Sequence, residues 1–469
     1  MKKILTISAF SILLTIVLAI SASARTVTYG DVNEDGKVTL SDGMMICSHI
    51  AGKTTLNSDQ IKIADFDGDG NISLAETLNL FKYVIGQITE VPIITIEDDV
   101  QESDYVKFMK KLYPDYQESP VGLDITFKDD LVSICYSTWH DYAKAYNNNA
   151  IYNIPEILAG NGSWGPENSF HYWSKPALGY YASTDTSVIR THMTQLAEAG
   201  VDFIIIDNTN TLMDWQNTTI GNSGKTAWEL AIQEPTTALL ETCLQMRQEG
   251  LQTPYIVFWN RNNEGWNVSS AIYSTYLSNE RYADLFVYMR HDKYETAKPF
   301  IIGTDSTVGA DYPNKFSTRN FTYRTMWGLL EDNNWSFLDH DNNPRIPIVD
   351  NDTGKTYYEQ IVVCAAAQRN WMSNTSTALS RQHGLTFYNQ WVNAFEARPK
   401  VVTLTWWNEW QSQRLKVGNG YQFTDLYNQE YSRDLEPMEG GFGDQYYQWM
   451  KQYIKAYKNH EACPKLVEN

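Results

Sequence analysis

The chain has 469 residues, a net charge of −19, 43% hydrophobic residues and 13% aromatic residues. That apolar content excludes a wholly disordered chain, and the length suits one large domain plus a small one. An acidic surface is repelled by phosphate backbones and anionic membranes, so neither a nucleic-acid nor a membrane partner is expected. Cys47, Cys135, Cys243, Cys364 and Cys463 are scattered without a CxxC pair, which excludes a disulfide scaffold or a thiolate zinc site as the organising principle.

Lys2 and Lys3 precede an apolar run from Ile4 to Ile20, followed by the small-x-small triplet Ala22-Ser23-Ala24. This predicts a cleaved export signal over residues 1–24 and a secreted, extracellular mature protein. The run is short for a membrane span, and no later segment reaches about 18 uninterrupted apolar residues.

Residues 31–42 (DVNEDGKVTLSD) and 65–76 (DFDGDGNISLAE) repeat one pattern. Oxygen-bearing side chains stand at positions 1, 3 and 5, Gly at 6 for the sharp turn, and a carboxylate at 12. The spacing predicts two Ca²⁺ sites, because hard oxygen donors suit that ion. Asp31, Asn33, Asp35 and Asp42 would hold one ion with the carbonyl of Lys37. Asp65, Asp67, Asp69 and Glu76 would hold the other with the carbonyl of Asn71. A short apolar helix follows each loop and ends in Gly52 or Gly86. Loop-then-helix, twice, resembles a type I dockerin module over residues 26–88. The resemblance implies a calcium-dependent partner, a cohesin module on a scaffold protein, and a cell-surface cellulosome as the setting. The positions that influence cohesin choice in dockerins hold Leu40-Ser41 and Leu74-Ala75.

Residues 89–104 read as an acidic, solvated linker, and 105–469 as the second domain. Near-continuous apolar runs predict strands at 131–137, 201–207, 254–260, 300–303, 321–326, 361–366 and 401–407. Amphipathic helices are predicted at 186–199, 226–249 and 444–458, and residues 142–185 read as a long inserted loop. The alternation predicts an α/β fold, a (β/α)8 TIM-barrel-like domain with one strand unplaced, beside the small all-α calcium-loop module. A doubly wound sheet is the alternative, although no G-x-G-x-x-G follows any strand.

In a barrel, chemistry sits where strands end. Those ends read Trp139-His140-Asp141, Asp207-Asn208-Thr209-Asn210, Trp259-Asn260 and Trp407-Asn408-Glu409-Trp410. Indole faces stack on the C–H surface of a pyranose, while carboxylates and amides bind its hydroxyls. His140, His171, Asn208, Asn210, Asn260, Trp407, Asn408 and Trp410 are therefore the expected substrate ligands. Hydrolysis of a glycosidic bond needs two carboxyls across it. Glu409, flanked by Trp406, Trp407 and Trp410, is the expected general acid, its pKa raised by packing against indoles. Asp207, after the buried run Phe203-Ile204-Ile205-Ile206, is the expected nucleophile or base, with the two roles exchangeable. Glu436 in SRDLEP is the rival carboxyl, and Arg433 with Asp434 reads alternatively as a structural ion pair. No cofactor beyond calcium is required.

The segments WGPENSFHYWSKPALGYYASTDTSVIRTHMTQLAEAGVDFIIIDNTN, TWWNEW and EYSRDLEPMEGGFGDQYY resemble bacterial secreted proteins related to glycoside hydrolase families 71 and 99. The similarity runs across most of 130–458 and implies a (β/α)8 barrel that hydrolyses polysaccharide. The two families act on α-glucan and α-mannan linkages respectively. Family 99 carries two catalytic glutamates three residues apart; Glu409 matches one, whereas Trp406 and Ser412 occupy the positions three away. Family 71 uses aspartates, which favours Asp207 as the second group. The sequence thus reads as a secreted, cellulosome-type hydrolase of polysaccharide. A non-catalytic carbohydrate-binding barrel on the same scaffold is the alternative.

Overall fold

The computed structural model describes residues 24–33, 35–65, 72–89, 93–97, 121–210, 216–261, 268–290, 297–304, 320–327, 334–349, 354–368, 378–423 and 428–466. They belong to two compact units, Met1–Tyr116 and Gln117–Asn469. The predicted export signal lies outside the described residues, apart from Ala24.

In the first unit, helices Leu40–Ile50 and Leu74–Val84 follow the two loops. Each begins with a capping box, Thr39 with Asp42 and Ser73 with Glu76, so the position-12 carboxylates also satisfy orphan amides of the first turn. Helix Ser58–Ala64 lies between them in the chain. Val32, Ile46, Leu56, Ile63 and Leu80 form the core. A Cβ on Gly43 would lie 2.3 Å from the Phe81 ring, so the missing side chain permits close approach of the two main helices. Strand β1 (Ala24–Thr28) pairs antiparallel with β2 (Ile93–Glu97). Part of the predicted linker is therefore a strand of this unit, and the module is not purely helical. Its β-branched run, Ile93, Ile94, Thr95 and Ile96, suits a strand despite the acidic residues that follow.

The second unit is a barrel. Strands β3 (Leu131–Tyr136), β4 (Phe203–Asn208), β5 (Tyr255–Asn260), β6 (Lys298–Gly303), β7 (Thr322–Thr325), β8 (Thr356–Cys364) and β9 (Val401–Thr405) are its parallel staves. They pair in the order β8–β9–β3–β4–β5–β6–β7, parallel throughout. Residues 335–338 span the remaining gap. Trp335 bridges in parallel to Met326 beside β7. On the other side, the Gln360 amide of β8 accepts from Ser336 N at 3.1 Å and donates to Ser336 O at 2.7 Å. A side chain takes the place of a backbone ladder, which is why this eighth stave has no strand signature in the sequence.

Period-2 alternation divides the residues between two faces. Leu131, Cys135, Phe203, Ile205, Val257, Trp259, Phe300 and Ile302 point inward with Trp335 and Phe337. Val132, Ile134, Ile204, Ile206, Ile256 and Phe258 point outward against a helical layer that includes Thr186–Glu198, Glu234–Gln248, Leu385–Ala397 and Gln445–Lys458. The predicted inserted loop is partly structured: its strand Phe170–Tyr172 pairs with Gln411–Val417, and helix Ile154–Leu158 precedes it. Among the described residues, no helix is long and apolar enough to cross a membrane.

Candidate active site

Alternation decides which strand-end residues can meet. Asp207 continues the inward series of Phe203 and Ile205, and its register partner on β5 is Trp259. Its Oδ1 accepts from Thr209 N at 2.8 Å, and the residue is 5% exposed. Asn208 and Asn260 belong to the outward series. Asn208 Nδ2 donates to Asn260 Oδ1 at 3.1 Å, and Asn260 Nδ2 donates to Ser269 Oγ at 3.2 Å. Both asparagines are buried on the outer face. Asn210 is exposed in the turn beyond β4.

Glu409 lies in the turn after β9. Its Oε2 accepts from Arg433 Nη2 at 2.8 Å, with side-chain exposures of 7% and 0%. Its backbone N–H donates to Asp434 Oδ1, and Trp173 Nε1 donates to Asp434 Oδ2 at 2.7 Å. Burial pushes the Asp434 carboxyl up to about 7, against the lowering influence of Trp173, Arg381 and Arg433. The expected Arg433–Asp434 pair is thus replaced by Arg433–Glu409. Sequence adjacency hid this, because residues 433–436 run back beside Trp406 and Trp407 through backbone bonds. Cys135 points inward near the end of β3; burial raises its thiol well above the usual range, and the charges of Asp207 and Glu409 raise it further. Both carboxyls stand at C-terminal strand ends of the barrel, Asp207 on β4 and Glu409 just after β9. Glu409 has a buried guanidinium beside it as well as the neighbouring indoles.

Around these acids, the predicted ligands pack as follows. Trp407 is buried outside the barrel, edge-on to His192 and Tyr447. Trp410 is buried and stacked on Trp173, with centroids 4.7 Å apart, and its Nε1 donates to Glu436. Asn408 accepts from Ser137 N at 2.8 Å and donates to Ser137 O at 3.1 Å, joining the ends of β9 and β3. His171 is buried, and its two ring nitrogens face the carbonyls of Ser169 and Trp164 at 2.9 Å. His140 is 1% exposed beside Gln411, and burial holds its imidazole down at about 4. All five side chains are buried.

Glu436, the rival carboxyl, is saturated. It contacts His192 Nε2 at 2.9 Å and accepts from Tyr181 OH at 2.7 Å and from Trp410 Nε1. His192 in turn meets Tyr136 OH at 2.9 Å. This buried chain braces the Glu409 turn from outside. His192 was legible: it shares the apolar face of its helix with Ile189, Met193 and Leu196. Trp406 points inward, and Trp327 is half-exposed.

In the first calcium loop, Asp31 accepts from Asp35 N and Gly36 N at 3.1 and 3.0 Å, and Asp42 accepts from Asn33 N at 3.0 Å. Among the described residues, no three His, Cys, Asp or Glu side chains form a metal cage by themselves. The donor set nevertheless fits a hard cation. Asp31 is buried, and its carboxyl is raised by that burial and by the like charges of Asp42 and Asp35, a strain that a cation would relieve. Gly36 takes the left-handed turn at φ +86°. Asp67, Asp69 and Asn71 of the second loop lie outside the described residues, while Asp65 and Glu76 flank it.

Residues 29–85 match the dockerin type I domain family. A solved complex of the third ScaC cohesin with the ScaB dockerin from Acetivibrio cellulolyticus is 31% identical over 14% of this chain and 92% of that one, with a TM-score of 0.13. For the barrel, the GH99 endo-α-mannosidase from Bacteroides thetaiotaomicron is 14% identical over 71% of this chain and 99% of that one, with a TM-score of 0.40. A structure described as a glycoside hydrolase-like protein is 13% identical over 72% and 98%, with a TM-score of 0.36. Likeness at this level does not establish an activity, and the barrel stands on its own strand pairing. No curated protein sequence matches the chain.

Proposed function

We propose that the chain is a secreted, cellulosome-type glycoside hydrolase, with a dockerin module that holds two Ca²⁺ ions and docks on a cohesin. The observation that carries this reading is that Asp207 and Glu409 both stand at the C-terminal strand ends of a (β/α)8 barrel, in a chain with a dockerin domain. Two carboxyls across the scissile bond are the minimal equipment for glycosidic hydrolysis. Arg433 keeps Glu409 ionised, which suits a base or nucleophile and leaves the proton-donor role to Asp207. Asp434 and Glu436 are positioning residues that hold the Glu409 turn. In the dockerin module, Asp31, Asn33, Asp35, Asp42 and the Lys37 carbonyl would hold one ion, which supplies the charge that lets these oxygens pack together. Asp65, Asp67, Asp69, Glu76 and the Asn71 carbonyl would hold the second.

One observation favours the alternative, a carbohydrate-binding barrel without catalysis: Glu409 is already neutralised by an internal partner, and Ser412 stands three residues on. Product release from a polysaccharide panel separates the two. Soluble saccharide released by the wild type, and lost in Asp207→Asn, supports the hydrolase. Binding without release supports the alternative.

A further inference from the structure

Four aromatic side chains meet on the inner face of the barrel at its strand-end mouth. Trp259 lies 4.7 Å from Phe337 and 5.8 Å from Trp406, centroid to centroid, and Trp327 lies 5.5 Å from Phe337 and 6.2 Å from Trp259. Trp259, Phe337 and Trp406 are buried, whereas Trp327 is 39% exposed. Trp259 Nε1 donates to Met326 O at 2.9 Å, which fixes the backbone that carries Trp327. The same group of rings is linked to both candidate acids through the strand ladder and Arg433. Trp259 is the register partner of Asp207, and the Arg433 guanidinium that pairs with Glu409 lies over Trp406 at 5.8 Å.

We infer that Trp327 is the stacking platform of the barrel mouth, seating one neutral pyranose ring of a polysaccharide beside Asp207 and Glu409. The inference rests on the carbohydrate reading of the barrel and adds to it a subsite and a class of sugar. An indole face over a closed aromatic floor is flat and apolar, which suits the C–H surface of a pyranose, while the adjoining carboxylates accept from its hydroxyls. The charge of the site selects against uronic acids. Arg433 is engaged with Glu409 and is not left to pair with a uronate carboxylate, and the chain carries a net −19. The buried rings beneath hold the platform rigid, so that little ordering is needed on binding.

The test measures retention of the full-length protein by immobilised α-mannan, α-glucan, xylan and polygalacturonate, using the Asp207→Asn variant to prevent degradation. Trp327→Ala on that background should weaken binding to the neutral polymer by about tenfold or more, as loss of a central aromatic anchor does. Trp327→Phe, which keeps a flat ring, should restore part of the affinity, with thermal melts confirming that both variants fold. Unchanged retention of Trp327→Ala on a neutral polymer that the parent binds overturns the platform and leaves the hydrolase reading standing. Preferential retention on polygalacturonate overturns the neutral-sugar assignment. No retention of the parent on any polymer, with no product from the wild type, overturns the carbohydrate reading and the platform with it.

Discussion

Replacing Glu409 by Gln removes a carboxylate that pairs with the buried Arg433. The two groups lie 2.8 Å apart with side-chain exposures of 7% and 0%, so water cannot substitute for the lost partner. Removing one member of a buried pair costs about 3–5 kcal/mol, because the other charge is left uncompensated. The amide keeps an acceptor oxygen for Arg433 Nη2, which places the expected loss at the lower end, about 3 kcal/mol. Against a typical stability of about 5–15 kcal/mol this is a large fraction, and the melting temperature should fall by on the order of 5 °C. Urea unfolding of the full-length chain, followed by tryptophan fluorescence, measures it. A Glu409→Leu/Arg433→Met double variant should recover most of the loss, since it leaves no isolated charge. A Glu409→Gln loss below about 1 kcal/mol, the range of exposed pairs, would refute the buried pair and return Glu409 to the role of proton donor.

Asp434 should make stability depend on pH. Its folded pKa of about 7 lies above the ordinary 3.8, so protonation favours the folded state and stability falls as pH rises from about 4 to about 7. Urea midpoints across this window should decline more steeply for the wild type than for Asp434→Asn, and parallel curves would contradict the assignment. Gln360→Ala should orphan Ser336 N and O, at about 1–3 kcal/mol for each buried group, and loosen the barrel seam in hydrogen exchange. Removal of Ca²⁺ should unfold the dockerin helices and abolish cohesin binding while the barrel retains its near-UV circular dichroism. Asp35→Ala should lower the calcium stoichiometry in calorimetric titration from two ions to one.

Much of the fold was legible because parallel staves covered on both sides must be apolar throughout, as Ile204 and Ile205 are on opposite faces of β4. The eighth stave was not, since residues 335–338 are held by the Gln360 amide and one bridge rather than by a repeating ladder. Site residues were legible by position along the strand but not by face. Asp207 and Asn208 share a strand end, yet alternation sends one to the interior and the other to the helical layer. The tryptophans divide in the same way: Trp406 turns inward, whereas Trp407 and Trp410 are committed to packing and to Glu436. That Arg433 pairs with Glu409 depends on residues 433–436 returning beside β9, a long-range contact that no local pattern encodes.

Saccharide release from α-mannan, α-glucan and xylan by the wild type, Asp207→Asn and Glu409→Gln, resolved by chromatography, bears most directly on the proposed function. The account predicts product from at least one polymer with the wild type. It predicts a drop of about 10²-fold or more for Asp207→Asn, the scale of a lost acid–base group, and a comparable drop for Glu409→Gln under conditions where that variant remains folded. Wild-type protein that binds a polymer without releasing product, or an Asp207→Asn variant that turns over like the wild type, would contradict it.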